Sequence, residues 1–142
     1  MDSDTLVLCL GSNLGNREEW LSKALTMLEE AFGPVLQKTQ AVQTRAIGFA
    51  GPPFLNLIAL FRCHSEPLEV LAVCKDIERR LGRGDAPEYD GSGNRVYHDR
   101  TIDIDILFYG DRKLCTPQLV IPHPAVHDRP FIDELLLTLR PL

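Results

Sequence analysis

Residues 99–110 read DRTIDIDILFYG. Isoleucines at 102, 104 and 106 alternate with Thr101, Asp103 and Asp105, the two-residue repeat of a strand buried on one face. The repeat puts Ile102, Ile104, Ile106 and Phe108 on one side and Thr101, Asp103, Asp105 and Leu107 on the other. Residues two apart on such a strand stand about 6.7 Å apart at their backbones. At an effective dielectric of about 20, two carboxylates at that spacing repel by roughly 2–3 kcal/mol. Something must offset this. A solvated outer face would, through water and nearby lysines. So would a divalent cation, because Mg2+ is held by one or two carboxylates while water and substrate phosphates complete its shell. Two ions bridged by the pair would suit phosphoryl-type transfer.

The flanks of this strand carry cations. Arg100 adjoins the pair, PHPAVHDRPF (122–131) brings His123, His127, Arg129 and Phe131, and the polar, glycine-rich stretch 83–98 brings Arg83 and Arg95. An arginine presents a planar fork of donors matched to phosphate oxygens. Several of them around a carboxylate pair point to a polyphosphate, with a nucleoside triphosphate the commonest case. A segment as long and polar as 83–98 needs a reason to persist in a compact domain, and a mobile lid supplies one.

Upstream, TLVLCL (5–10) is a continuous apolar run stopped by Gly11-Ser12-Asn13, as a buried strand entering a loop would be. Asn16 caps a helix whose Leu21, Leu25, Leu28 and Phe32 form one stripe up to Gly33-Pro34. A weaker strand is expected over 35–43, a loop over 44–53 and a buried strand in FLNLIALFR (54–62). Ser65 is the expected N-cap of a second helix with Leu71, Cys74, Ile77 and Leu81 facing inward, closed by Gly82. A short helix is expected at about 131–138. Two strands joined by a loop too short for a helical crossover pair antiparallel. The expected fold is therefore α+β: a ferredoxin-like two-layer sandwich, mostly antiparallel, with helices on one face and a cleft with mobile loops on the other.

At 142 residues the chain has the size of one domain, taken as 1–142, and its 44% hydrophobic and 25% charged residues are those of an ordinary globular protein. A formal charge of -5 argues against a general footprint for nucleic acid or anionic membrane. Cys9, Cys63, Cys74 and Cys115 are spread singly, which suits free thiols in a reducing compartment. With Asp2 and Asp4 where a secretory signal carries positive charge, and no apolar run long enough to span a bilayer, the expected location is the cytoplasm. GSNLGN (11–16) lacks the second glycine of a dinucleotide fingerprint and the Lys-Ser/Thr of a P-loop, so it reads as a tight turn and helix cap. Pro124 separates His123 from His127 and no Glu follows the first, which removes a zinc-protease helix.

Four blocks, LCLGSNLGNR, TRAIGFAGPPFLNLIAL, DRTIDIDILFYG and VIPHPAVHDRPF, resemble in order and spacing 6-hydroxymethyl-7,8-dihydropterin pyrophosphokinase of the folate pathway, from residue 5 to about 135. The resemblance implies transfer of pyrophosphate from ATP to the hydroxymethyl group of the pterin, releasing AMP, on a ferredoxin-like fold with two Mg2+ ions. It implies metal ligation by Asp103 and Asp105, and ATP binding by Lys75, Glu78, Arg83, Arg100, Ile106, His123 and Arg129. Arg83, Arg100, Asp103 and Asp105 would act in catalysis. The pterin would lie between Phe54 and Phe131, with hydrogen bonds from Thr44, Asn56 and the backbone near Ile47 and Gly48. A monomer with small-molecule partners is expected, without nucleic acid or membrane. Arg45 stands where the family usually has proline, and Tyr97-His98-Asp99 where Trp-Gly-Pro/Ala is commoner. Two other readings fit the Asp-x-Asp pattern: a sugar-nucleotide transferase on Mn2+, for which the chain is short, and a non-catalytic ferredoxin-like ligand-binding module.

Overall fold

A computed structural model describes residues 3–45, 51–82, 88–89, 91–93, 95–96 and 101–140. Thr5–Ser12 (β1) is buried along its whole length, because a strand of near-continuous apolar character can be covered on both faces. It pairs antiparallel with Phe54–Arg62 (β4) on one side and Asp103–Tyr109 (β7) on the other. Gln37–Lys38 (β2) and Val42–Thr44 (β3) both pair antiparallel with β4. The main sheet runs β2-β4-β1-β7, with β3 also on β4.

The strand expected over 35–43 is thus split in two. From Lys38 to Val42 the chain advances four residues while its partner goes back three, from Ala59 to Asn56, so one residue is extra, as in a β-bulge. Thr39 manages the interruption. Its backbone N–H donates to the Ile58 carbonyl (2.9 Å) and its hydroxyl accepts from the Ile58 N–H (3.0 Å).

Arg17–Phe32 (α1) and Pro67–Arg80 (α2) cover one face of the sheet. Asn16 caps α1, its side chain accepting from the Glu19 N–H at 3.1 Å. In α2 the N-cap is Glu66, one residue after the expected Ser65, with Pro67 at the first helical position. The Ser65 carbonyl is engaged by the Tyr109 hydroxyl at 2.7 Å. Leu6, Leu8, Leu10, Leu21, Leu28, Phe61, Val70, Cys74, Ile77, Ile102, Ile104, Ile106 and Tyr109 form the core between this face and the helices.

The opposite face is not left wholly open. Ala125–Asp128 (α3) and Pro130–Leu136 (α4) cover part of it, burying Val7, Cys9, Ile58, Leu60 and Leu107 with Ala125, Val126, Ile132 and Leu135. The alternation of β7 also changes partway. Leu8 opposes Ile106 but Val7 opposes Phe108, which leaves Leu107 extra. Beyond this irregularity Phe108 joins Leu107 on the α3/α4 side, rather than facing α1 and α2 as strict alternation requires.

Two short hairpins complete the described fold. Leu114–Cys115 (β8) pairs with Val120–Ile121 (β9), a unit that sequence periodicity did not anticipate. Glu88–Tyr89 (β5) pairs with Arg95–Val96 (β6) inside the segment expected to be a lid. Residues 83–87, 90, 94, 97 and 98 of that segment lie outside the described residues. Among the described residues, no helix is long and apolar enough to cross a membrane.

Gly110 ends β7 at φ 57°, and its N–H donates to the Thr5 carbonyl at 2.8 Å. A Cβ there would collide with the Ser3 carbonyl, and the left-handed backbone adds strain for any L side chain. Gly110→Ala is expected to lower unfolding free energy by roughly 1–3 kcal/mol in urea titration. An unchanged midpoint would contradict this account of the β1–β7 junction.

Candidate active site

Beyond the cluster under α3 and α4, the second sheet face ends in one cross-strand row. Asn56 on β4 opposes Gly11 on β1, and Gly11 opposes Asp103 on β7. One step deeper, Ile58, Cys9 and Asp105 form the next row on the same face. The two aspartates therefore share the open face, both partly exposed, while Ile104 between them is buried toward the helices.

The Asn56 amide is 6% exposed, and its Nδ2 donates to the Thr44 hydroxyl at 2.6 Å. Thr44 is placed opposite Phe54 at the end of β3. Phe54 shares its face with Asn56, and Phe131 at the start of α4 packs against the cluster on this same face. Phe54, Asn56 and Thr44 thus come together at this end of the sheet, while Phe131 packs on the same face against the apolar cluster.

The stem of the loop before Phe54 is held from the β1–α1 connection. Asn13, 1% exposed, donates through Nδ2 to the Pro52 carbonyl at 3.1 Å, and Arg17 donates to the Pro53 carbonyl at 3.0 Å. Of the GSNLGN stretch, Gly11 and Ser12 still belong to β1, and the expected turn and cap are confined to residues 13–16, with Gly15 at φ 64°. Asn13 gives it a second job that a short motif cannot reveal, since its acceptor lies 39 residues away.

His123 follows β9, its backbone N–H donating to the Leu107 carbonyl at 3.0 Å. Its Nδ1 accepts from the Ala125 N–H at 3.0 Å, so the neutral ring carries its proton on Nε2, which faces Asp105 Oδ1 at 3.7 Å. Burial, reinforced by the Arg129 guanidinium and opposed by Asp103, holds the imidazole below its ordinary pKa. Both observations describe a neutral donor aimed at the carboxylate pair. Cys9, beside Asp105, is no nucleophile: burial first, then the charges of Asp105 and Asp103, push its thiol far up.

Two expected ligands are buried. Ile106 is 2% exposed in the helix-side core, because it shares the pleat of Ile104. Glu78, 3% exposed on α2, uses Oε2 to accept from the Ile104 N–H at 2.8 Å, and its Oε1 lies 3.7 Å from the exposed Lys75 ammonium. It holds β7 between the two aspartates from its outer edge. Arg83, Arg100, Ile47 and Gly48 lie outside the described residues. His127 is exposed, and Arg129 is partly buried near His123 and Cys9, whose titration it influences.

The family model for 7,8-dihydro-6-hydroxymethylpterin-pyrophosphokinase (HPPK) matches residues 7–141. A 2-amino-4-hydroxy-6-hydroxymethyldihydropteridine pyrophosphokinase of Porphyromonas gingivalis is 40% identical over 136 residues, covering 94% of this chain and 89% of that protein. The protein of the same name from Bacillus subtilis is 30% identical over 127 residues, covering 88% and 71%. The folate synthesis bifunctional protein of Chlamydia caviae is 37% identical over 142 residues, 96% of this chain but 30% of its own length.

Glu78→Ala removes a charged acceptor from a buried strand N–H, so unfolding free energy should fall by roughly 1.5–3 kcal/mol in a urea titration. Wild-type stability in that variant would mean that the Glu78–Ile104 bond does not hold the strand.

Proposed function

The chain belongs to the 7,8-dihydro-6-hydroxymethylpterin-pyrophosphokinase family, and we propose that the open end of its central sheet is where the transfer takes place. The reaction is the pyrophosphate transfer of folate biosynthesis: pyrophosphate passes from ATP to the hydroxymethyl group of the pterin, and AMP leaves. The observation that carries the assignment is the row Asn56–Gly11–Asp103. It sets a buried amide suited to a heterocycle and a carboxylate pair suited to a metal on one face, two strand spacings or about 10 Å apart.

On the pterin side, the Asn56 amide offers donor and acceptor to an edge that alternates the same groups, with the Thr44 hydroxyl fixing its orientation. Phe54 and Phe131 would supply the apolar faces, and Ile47 and Gly48 backbone contacts. Such a site discriminates by leaving its polar groups unpaired against the wrong ring.

On the nucleotide side, the proposed cofactor is Mg2+, two ions arriving with ATP. Asp103 and Asp105 fit it as hard oxygen donors, partly exposed on one face. Among the described residues no group of three or more His, Cys, Asp or Glu is arranged to hold a metal. Two carboxylates suit an ion that keeps water and phosphate ligands and do not suit a closed zinc site. When bound, Mg2+ neutralises the polyphosphate and helps align the transferring group. His123, neutral and donating from Nε2, and the Arg129 guanidinium would then bind phosphate oxygens, together with Arg83 and Arg100. Lys75 would contribute from the rim of α2. The residues supply position and charge stabilisation, and attack by an alcohol on phosphorus needs these more than a strong base. The protein is proposed to work as a monomer in the cytoplasm.

Incubation with ATP, Mg2+ and the reduced hydroxymethylpterin should produce AMP only when the pterin is present, and chelator should abolish it; ADP as the product would overturn the reading. Asp103→Asn and Asp105→Asn should each lower turnover by on the order of 10³-fold or more. Without metal, both variants should keep the wild-type fold by circular dichroism. Turnover near wild type in both variants would rule out the metal role.

A further inference from the structure

Gly11 lies midway between the amide and the carboxylate pair, yet the proposed chemistry uses none of its atoms. Conformational freedom does not explain a glycine here, since it sits in a regular strand and is absent from the positive-φ glycines. Space does. A Cβ at Gly11 would stand 2.6 Å from Asn56 Oδ1 and 3.4 Å from Phe54 Cδ1. The first is closer than real Cβ contacts come, so something would have to move. Asn56 cannot swing away freely, because it is buried and its Nδ2 is bound to Thr44 at 2.6 Å. The strain of any side chain at position 11 therefore falls on the Asn56–Thr44 pair and the Phe54 ring.

We propose that Gly11 is a positioning residue for the pterin subsite. Its missing side chain lets the Asn56 amide lie across β1 in the orientation that Thr44 fixes. It also leaves the floor between that amide and Asp103 bare, so a substrate group can extend from one subsite to the other. The inference rests on the reading that Asn56 recognises the pterin, and the experiment separates the two.

Gly11→Ala, Asn56→Ala and the double variant are compared for KM of pterin, KM of ATP and kcat, with circular dichroism to verify folding. Gly11→Ala should raise the pterin KM by roughly tenfold or more, as expected when a buried polar contact is displaced, with the ATP KM little changed. On the Asn56→Ala background it should add almost nothing, because the group it displaces is gone. In ligand-free protein, the Asn56 side-chain amide resonances should shift in Gly11→Ala while those of α1 and α2 stay in place. A wild-type pterin KM in Gly11→Ala, effects that simply add, or a variant that fails to fold would each overturn the proposal. A wild-type pterin KM in Asn56→Ala would instead overturn the role of Asn56, and with it the step that depends on it; the amide resonances would still report whether Gly11 sets that side chain.

Discussion

The pleat of β7 is the constraint on which the rest of the molecule depends. A side chain on a strand has two directions to choose from, and the neighbours of β7 fix that choice for Ile104 and both aspartates. On the inner edge it is paired to β1 in a register that sets Asp103 against Gly11 and Asp105 against Cys9. On the outer edge the Glu78 carboxylate takes the Ile104 N–H, the group an edge strand otherwise leaves to solvent. A slip of one residue would bury two carboxylates under the helices and expose the isoleucines. The hydrophobic core and the candidate site are thus two sides of one registration.

The same sheet face changes character along its length. At one end α3 and α4 cover Val7, Ile58, Leu60 and Leu107; at the other, Asn56 and Gly11 are buried beside two partly exposed aspartates. The irregularity at Leu107 helps mark this boundary, since both Leu107 and Phe108 lie with the covered cluster. His123 comes from the segment that leads into α3 and faces Asp105 at 3.7 Å, so the chain that closes the apolar end also delivers a side chain to the polar one. This explains why residues from both halves of the chain converge on a face that one strand defines.

Much of this was legible in the sequence where the signal is local. The two-residue repeat of 101–106 gave the faces of Asp103 and Asp105, and the Asn16 cap and the stripes of α1 and α2 follow from helical period. The apolar run of β1 correctly implied a buried strand. What was not legible depends on partners distant in sequence. Phe108 turns because of a mismatch with β1, which no repeat within β7 discloses. Ser65 gives way to Glu66 as N-cap while its carbonyl receives the Tyr109 hydroxyl, 44 residues on. Glu78 looked like a charged helix residue on the nucleotide side, and its partner proves to be the Ile104 N–H, 26 residues away. Gly11 looked like part of a turn. It is a strand residue whose significance depends on the Asn56 amide above it, and the clue in the sequence was an asparagine inside an apolar strand, which must have a hydrogen-bond partner.

The most direct test of the central claim, that β7 presents two carboxylates as a divalent-cation site for the nucleotide, is to count the ions they hold. Electron paramagnetic resonance can do this with Mn2+ in place of Mg2+, in the presence of a non-cleavable ATP analogue. The account predicts two Mn2+ per chain above those bound by the free analogue, and loss of that pair when Asp103 and Asp105 are both changed to asparagine. Unchanged Mn2+ stoichiometry in the doubly substituted protein would contradict it.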